Sequence, residues 1–375
     1  MAVCEYCKAT VLKDADSVKD LGKMSDVLED YSPIQIGTSG SFGGRNFSVI
    51  GRIQLRYPAG LWNEWYLLFE NGDSAWLGDA SGQYTLSTER TPNPNTLLPA
   101  FADLAPAKPL TIGPKNYTVA DVRIADCIGG QGELPFRVGQ GWQARVADLR
   151  SGNSFLTLDY SESIAPKMYI GQAVTLDQLK CQLLRDDDEV QTSAGKFRGK
   201  IDRLACPSCG SHVAYAPGIT THLVCPSCHA QVDTTAKTAQ VLAAGNSMAA
   251  VRTTLELGAK ATINGRQYQL IGLMKRRDDE DEWTEYLLHN PRAGFLWLIE
   301  TDDGWARAVA QDDWPRWSNQ GDSAILANRT FRKLYAYTSR ITFAAGAFSW
   351  RVGVGDSTRV VEFEDGKNKL AVEMT

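Results

Sequence analysis

Short runs in which apolar and polar residues alternate dominate the chain. IQIG (34–37) and FSVIGRIQL (47–55) have later counterparts in KATI (260–263) and YQLIGLM (268–274). WYLLF and AWLG flank Asn71-Gly72, and EYLLH and FLWLI flank the stretch from Pro291 to Gly294. A period of two over such short lengths, rich in aromatic and β-branched residues, is the mark of strands with one buried face. Gly43-Gly44 and Asn264-Gly265 suit two-residue type I′ turns, where both central residues need positive φ. Turns recurring about every 8–12 residues predict a mainly β fold, a strongly bent antiparallel sheet or small barrel. Apolar spacings of three and four predict helix only in two linkers, 14–30 and 235–256.

The pattern is written twice. An offset of 221 carries VCEYCKATV (3–11) onto VCPSCHAQV (224–232) and RNFSVIG (45–51) onto RQYQLIG (266–272). The same offset places Trp62, Glu64, Trp76 and Tyr84 on Trp283, Glu285, Trp297 and Trp305. Further on, GELPFRVGQG (132–141) matches GAFSWRVGVG (346–355) at an offset of 214, as Leu158-Asp159 matches Val372-Glu373. The first copy is therefore longer in its connection, a Pro-rich stretch (90–114) expected to be a surface loop. The expected organisation is a half ribbon (1–12), a helical linker (13–30), a first β-rich unit (31–195), a zinc ribbon (200–234), a second helical linker (235–256) and a second β-rich unit (257–375).

Composition narrows the class. The 375 residues are 43% hydrophobic and 22% charged, with a formal net charge of -5, which gives no general attraction for a polyanion. No apolar run reaches the length of a membrane-spanning helix, and no basic segment followed by an apolar one opens the chain. Of the 8 cysteines, those in C-x-x-C pairs suit metal binding in a reducing compartment better than disulfides, so a cytoplasmic location is expected.

Cys206, Cys209, Cys225 and Cys228 form two such knuckles, separated by a stretch long enough for a hairpin that brings them together. Four thiolates complete the tetrahedral shell of a structural Zn2+ and leave no open position for chemistry. Cys4 and Cys7 are candidate ligands of a second site. Under the repeat offset their partners would fall before Met1, so a truncated first ribbon is expected, from a start codon placed too late or a lost segment.

Other candidates carry two readings. Trp62, Glu64, Trp76, Trp283, Glu285 and Trp297 stand at matched positions. Either the tryptophans fill the barrel while each glutamate caps a backbone or pairs with Arg45 or Arg266, or the set lines a shared ligand cleft. The acidic run RRDDEDE (276–282) faces RYPAGLW in the first copy, which points to a solvated hairpin tip. His212, His222 and His229 accompany the ribbon, and His289 matches Leu68. Cys127 and Cys181 read as buried small hydrophobes. The stretch 302–317 offers a stacking platform for bases or sugars, though its four Asp, which outnumber its arginines, suit a phosphate backbone poorly, and Trp314 and Trp317 either cover the barrel end or mark a surface for another protein. No HExxH, GxSxG or phosphate-loop motif occurs, and no catalytic residue is assigned.

CPSCG…VCPSCHAQV, the R-x-Y-x-L-I-G and W-x-E strands, and the later G-x-[LF]-[PS]-[FW]-x-V-x-x-G resemble a bacterial family catalogued as domain of unknown function 4178, in tandem copies. The resemblance implies zinc ribbons before a β-rich domain and a setting among membrane proteins, coiled-coil stress proteins and polyamine-synthesis-like enzymes; it implies no activity. The function expected is a non-enzymatic adaptor that binds partner proteins, some membrane-associated, in an envelope-stress assembly. One alternative is nucleic-acid binding through the ribbon, with Lys196, Arg198, Lys200 and Arg203 before it. Another is an enzyme acting on a small polyamine-like molecule near Glu64 or Glu285.

Overall fold

A computed structural model describes residues 2–3, 9–14, 17–23, 32–186 (without 58–59, 81, 95, 137 and 139–140), 204–213, 222–233, 240–243 and 252–374 (without 291–292, 312–313 and 319–320). The chain divides into two compact units, both mainly β.

The first unit contains β1 (Ala2–Val3), β2 (Ala9–Asp14), β3 (Ser17–Lys23), β4 (Ser39–Phe42), β5 (Arg45–Tyr57), β6 (Gly60–Phe69), β7 (Ser74–Ala80), β8 (Gln83–Arg90), β9 (Pro109–Ile112), β10 (Lys115–Glu133), β11 (Gln143–Ser151), β12 (Ser154–Asp159) and β13 (Lys167–Val174). Strands β5-β6-β7-β8-β13-β12-β11-β10 run in that order, and β10 then pairs with β5, so the sheet closes into an eight-stranded barrel. One long strand makes the closure: β10 pairs with β11 from Thr118 to Asp126 and with β5 from Cys127 to Gly132.

The alternation sorts side chains to two faces. Trp65, Leu67, Leu77 and Leu86 pack outward, beneath Ile34 and Leu179. Val119, Leu149, Leu156 and Leu158 pack outward beneath Leu104 and Phe101. Ile170 and Gln172 lie on this same face and are exposed, which identifies it as the outside. Burying each such leucine is worth about 1.5–3 kcal/mol. The Pro-rich connection is a loop only in part: Pro109–Ile112 is strand β9, paired with β10, and the segment before it is fastened down, with Leu104 buried and the Tyr160 hydroxyl donating to the Pro99 carbonyl at 2.7 Å.

The second unit contains β14 (Leu204–Ala205), β15 (His212–Val213), β16 (His222–Val224), β17 (Gln231–Asp233), β18 (Gln240–Ala243), β19 (Lys260–Ile263), β20 (Arg266–Arg277), β21 (Glu282–Asn290), β22 (Gly294–Thr301), β23 (Gly304–Ala308), β24 (Arg316–Trp317), β25 (Ser323–Leu326), β26 (Arg329–Phe348), β27 (Ser357–Asp365) and β28 (Asn368–Met374). The repeat holds at the level of single residue pairs. Ala2↔Glu133 and Val3↔Gly132 become Leu223↔Ala347 and Val224↔Gly346. The bulge between Val119 and Asp121 returns between Lys333 and Tyr335, and that between Val49 and Gly51 returns between Leu270 and Gly272. Bulges re-aim a strand, and here they bend both sheets at the same places. At Gly132 and Gly346, φ is +68° and +96°, and a Cβ would lie 2.2 Å and 2.4 Å from the carbonyl oxygens of Ile50 and Ile271, so only glycine fits. Both turns Gly43-Gly44 and Asn264-Gly265 have the positive φ angles expected of them.

The copies differ at one edge. In the first unit β13 sits between β12 and β8. Among the described residues nothing takes that place in the second: β28 pairs only with β27, and β23 only with β22. Among the described residues the second sheet does not close between β28 and β23.

The expected helical linkers are corrected where they are described. Residues 17–23 and 240–243 are strands, each the outer member of a small antiparallel extension, β1-β2-β3 and β16-β17-β18. Apolar residues at three- and four-residue spacing over so short a stretch do not separate the two periods, and pairing with β2 and β17 decides in favour of strand. Of the rest, Asp14 ends β2 and 252–256 has no regular structure; the remainder of both linkers lies outside the described residues. No α-helix occurs among the described residues, and no helix is long and apolar enough to cross a membrane.

Candidate functional site

The hairpins β14–β15 and β16–β17 each end in a C-x-x-C knuckle. Backbone bonds shape both turns alike: Gly210 N donates to Cys206 O at 2.8 Å, and His229 N to Cys225 O at 2.8 Å. The residue after each knuckle is left-handed, Gly210 at φ +74° and His229 at φ +56°. The sulfurs of Cys206, Cys209, Cys225 and Cys228 all lie within 4.8 Å of one another, with the closest pairs at 3.7 Å. Tetrahedral zinc with bonds of about 2.3 Å sets its sulfurs about 3.8 Å apart, so the donor set and spacing fit such an ion. Leu223, Ala230 and Val232 pack against the cysteines. The ribbon is not a free-standing module: β16 pairs with barrel strand β26, so the second knuckle grows out of the barrel sheet. Cys4 and Cys7 lie outside the described residues, as do Lys196, Arg198, Lys200 and Arg203.

The second constellation faces the inside of the first barrel. On β6, Trp62 and Glu64 alternate with the outward Trp65, and the Trp62 indole N–H donates to Glu64 Oε1 at 2.9 Å. Across the sheet, Glu64 pairs with Gly78 and Asp148 with Thr157, all on the inner face. Glu64 is half-buried on this inner face. Loss of water pushes its carboxyl up to about 8, against the Trp62 hydrogen bond, and the charges of Asp148, Asp159 and Asp79 push the same way. Asp148 is also raised, chiefly by burial, while Thr157 Oγ1 donates to it at 2.7 Å. Among the described residues no basic side chain pairs with Glu64. Arg123 pairs with Asp121 and lies 4.1 Å over the Tyr57 ring, and Arg150 lies 4.0 Å over Phe155.

The second barrel repeats the arrangement and adds a cation. Trp283 Nε1 donates to Glu285 Oε1 at 2.7 Å. The carboxylates of Asp148 and Asp159 become those of Glu362 and Glu373 at the offset of 214. Arg276, buried, takes the place of Leu55 and reaches both acids: its Nε lies 3.8 Å from Glu285 Oε2, and its Nη1 lies 3.5 Å from Glu373. Its Nη2 donates to Thr358 Oγ1 at 3.2 Å. Burial raises the Glu285 carboxyl, while Arg276 and the Trp283 indole oppose the rise. Glu362 accepts from the Tyr337 hydroxyl at 2.8 Å.

Trp76 and Trp297 belong to aromatic stacks rather than to the carboxylates, with Trp76 on Phe136 at 5.8 Å and Trp297 on Trp350 at 5.6 Å. Arg45 does not serve Glu64; it pairs with Asp73 at 2.7 Å, because on β5 it lies at the opposite end of the sheet. Of RRDDEDE, Arg277 to Glu282 form an exposed turn in which Asp278 accepts from the Glu280 and Asp281 amides, but Arg276 points inward. His222 and His289 are buried in their sheets, and burial lowers His289 to about 4. Cys127 is buried and raised to about 12, as a packed thiol should be. Trp317 packs edge-on against Phe363 at 5.0 Å, whereas Trp305 is 50% exposed where its counterpart Tyr84 is buried. Inspection of the sequence missed Asp148, Glu362 and Arg276. Carrying the 214 offset back from Asp159 by one strand would have found the first two.

None of the curated proteins and none of the solved structures compared with the chain is similar to it. The sequence model of one family, described as Domain of unknown function (DUF4178), matches residues 35–176 and again 256–374, the spans that hold the two barrels. The chain is a tandem member of that DUF4178 family.

Proposed function

We propose that the protein is a non-enzymatic adaptor whose second unit binds a partner protein by accepting one extended strand. The observation that carries this reading is the pair of edges on β23 and β28, neither of which has a second strand partner among the described residues. In the first unit β13 completes the sheet with main-chain pairs on both sides, from Asp159↔Lys167 to Ser154↔Gln172 and from Met168↔Arg90 to Val174↔Tyr84. In the second, β23 and β28 each pair with one strand only among the described residues, and Trp305 on β23 is exposed. An unpaired edge is a template for strand addition, in which backbone hydrogen bonds give affinity and alternate side chains give specificity. The ligand expected is a segment of about eight residues resembling β13, with Met168, Ile170 and Val174 at alternate outer positions and Tyr169, Gly171 and Ala173 on the inner face.

The four-thiolate centre supports this reading as a structural support. A closed shell of sulfur ligands around zinc does no chemistry but ties the ribbon to the second sheet through β16. Reduced thiols require a reducing compartment, which is why we place the protein in the cytoplasm.

The test uses a labelled, capped peptide of the sequence Lys167–Val174 added to the intact protein. Saturable binding, lost when Ile170 in the peptide is changed to proline, is the expected result, because proline removes a ladder donor. Absence of binding, or equal binding of the proline peptide, would reject strand addition.

A further inference from the structure

The first barrel differs from the second in one substitution that changes its chemistry. Both interiors carry carboxylates at three matched positions: Glu64, Asp148 and Asp159 in one, Glu285, Glu362 and Glu373 in the other. Both hold the first of these against an indole N–H. In the second barrel two of the three acids hold a guanidinium that the chain itself supplies from Arg276. In the first, the residue at that register is Leu55, paired with Trp62 as Arg276 is with Trp283. Among the described residues Glu64 is left with no guanidinium beside it, while Asp159 accepts from Ser161 and lies across from Lys167, whose ammonium pairs with Glu162.

We propose that the interior of the first barrel binds a guanidinium-bearing cation, held by Glu64 and Asp159 beside Trp62 in the way that Glu285 and Glu373 hold Arg276. The second barrel is the internal comparison, and it shows the ligand chemistry directly. Planar guanidinium donors match carboxylates spread around them, and aromatic faces favour the cation. A metal ion fits less well, because the only group of described acidic, histidine or cysteine ligands close enough to share an ion is the four-cysteine set. The neighbouring arginines are committed elsewhere, Arg123 to Asp121 and the Tyr57 ring, Arg150 to the Phe155 ring. Glu64 is raised to about 8, so it is largely protonated at neutral pH while the site is empty. Binding of a cation would ionise it and release a proton. The inference concerns the first unit and stands apart from strand addition at the second.

The experiment is calorimetric titration of the intact protein at pH 7 with ethylguanidinium at low millimolar concentration, in two buffers of different ionisation enthalpy. The expected result is saturable binding with a buffer-dependent heat. Affinity should fall at least tenfold in Glu64→Gln and in Leu55→Arg, which imports the second barrel's own cation, and should stay unchanged in Glu285→Gln. Glu64→Gln replaces a carboxyl that is largely neutral in the empty protein with an amide of the same size, so its failure to bind would not reflect misfolding. A capped arginine peptide in parallel separates the two sources. Tighter binding of the peptide assigns the site to a partner protein's arginine, and tighter binding of ethylguanidinium assigns it to a small metabolite. No saturable binding, equal binding in Glu64→Gln, or propylammonium binding as tightly as ethylguanidinium would overturn the proposal.

Discussion

Glu64→Gln should stabilise the first barrel, and more so as the pH rises. The carboxyl has an ordinary value of 4.5 and is raised to about 8 in the fold. The folded state therefore holds a proton that the unfolded chain has already lost between those limits. Stability falls through that window, and the loss is complete only above the folded value. At 1.36 kcal/mol per pKa unit, the penalty is about 1 kcal/mol at pH 5 and about 4 kcal/mol at pH 7.5. Glutamine keeps the acceptor for the Trp62 indole and cannot ionise, so the variant escapes the penalty. The advantage of the variant over the parent should grow by about 3 kcal/mol from pH 5 to pH 7.5. For a unit of this size that is about 6–12 °C in Tm. Because the two units need not unfold together, amide exchange of β11 and β27 should be followed separately at both pH values. Glu285→Gln is the counter-experiment: it leaves the buried Arg276 with one acid fewer and should cost the second barrel about 1–3 kcal/mol. A pH-independent difference between Glu64→Gln and the parent, or stabilisation of equal size in both variants, would refute the reasoning.

Further outcomes follow from the geometry. Gly346→Ala places a Cβ 2.4 Å from the Ile271 carbonyl and should cost about 3 kcal/mol or more in urea titrations, whereas Gly265→Ala, also at positive φ but with open space around it, should cost about 1 kcal/mol. Cys225→Ser should lower zinc content, measured by elemental analysis, and loosen exchange protection in β16, because that knuckle is continuous with the barrel sheet. In the parent protein the four central thiols should react with a thiol reagent only after chelation. Trp62→Phe removes the one hydrogen bond that favours the ionised Glu64, so the carboxyl should titrate at still higher pH by NMR, with a stability loss of about 1–2 kcal/mol.

Much of the fold was legible because its signals are local or repeated. The Gly-Gly and Asn-Gly turns, the alternation on β5 and β20, and the cysteine spacing each state a backbone requirement within a few residues. Where the reading failed, the deciding interaction was distant in sequence. Residues 17–23 look helical by spacing, yet they pair with β2, itself held to β10 through β1. The ribbon reads as a module between two domains, but β16 docks on β26, more than a hundred residues later. The likeness of Arg45 and Arg266 suggested partners for the glutamates. The register instead gives that role to Arg276 alone, a residue that looks like part of an acidic hairpin tip and has no basic counterpart.

That asymmetry bears on what the duplication is for. Two copies with the same contacts would argue for one binding mode used twice, the avidity that tandem modules gain. These copies kept the bulges, the glycine junctions and the indole–carboxylate pairs, which the barrel itself demands, and diverged at two places it does not. One copy closes its sheet with β13 and carries Leu55 inside. The other carries Arg276 at that position, and among the described residues its β23 and β28 have no second partner. The strand addition and the cation binding proposed above would give the two units two different occupants rather than two copies of one.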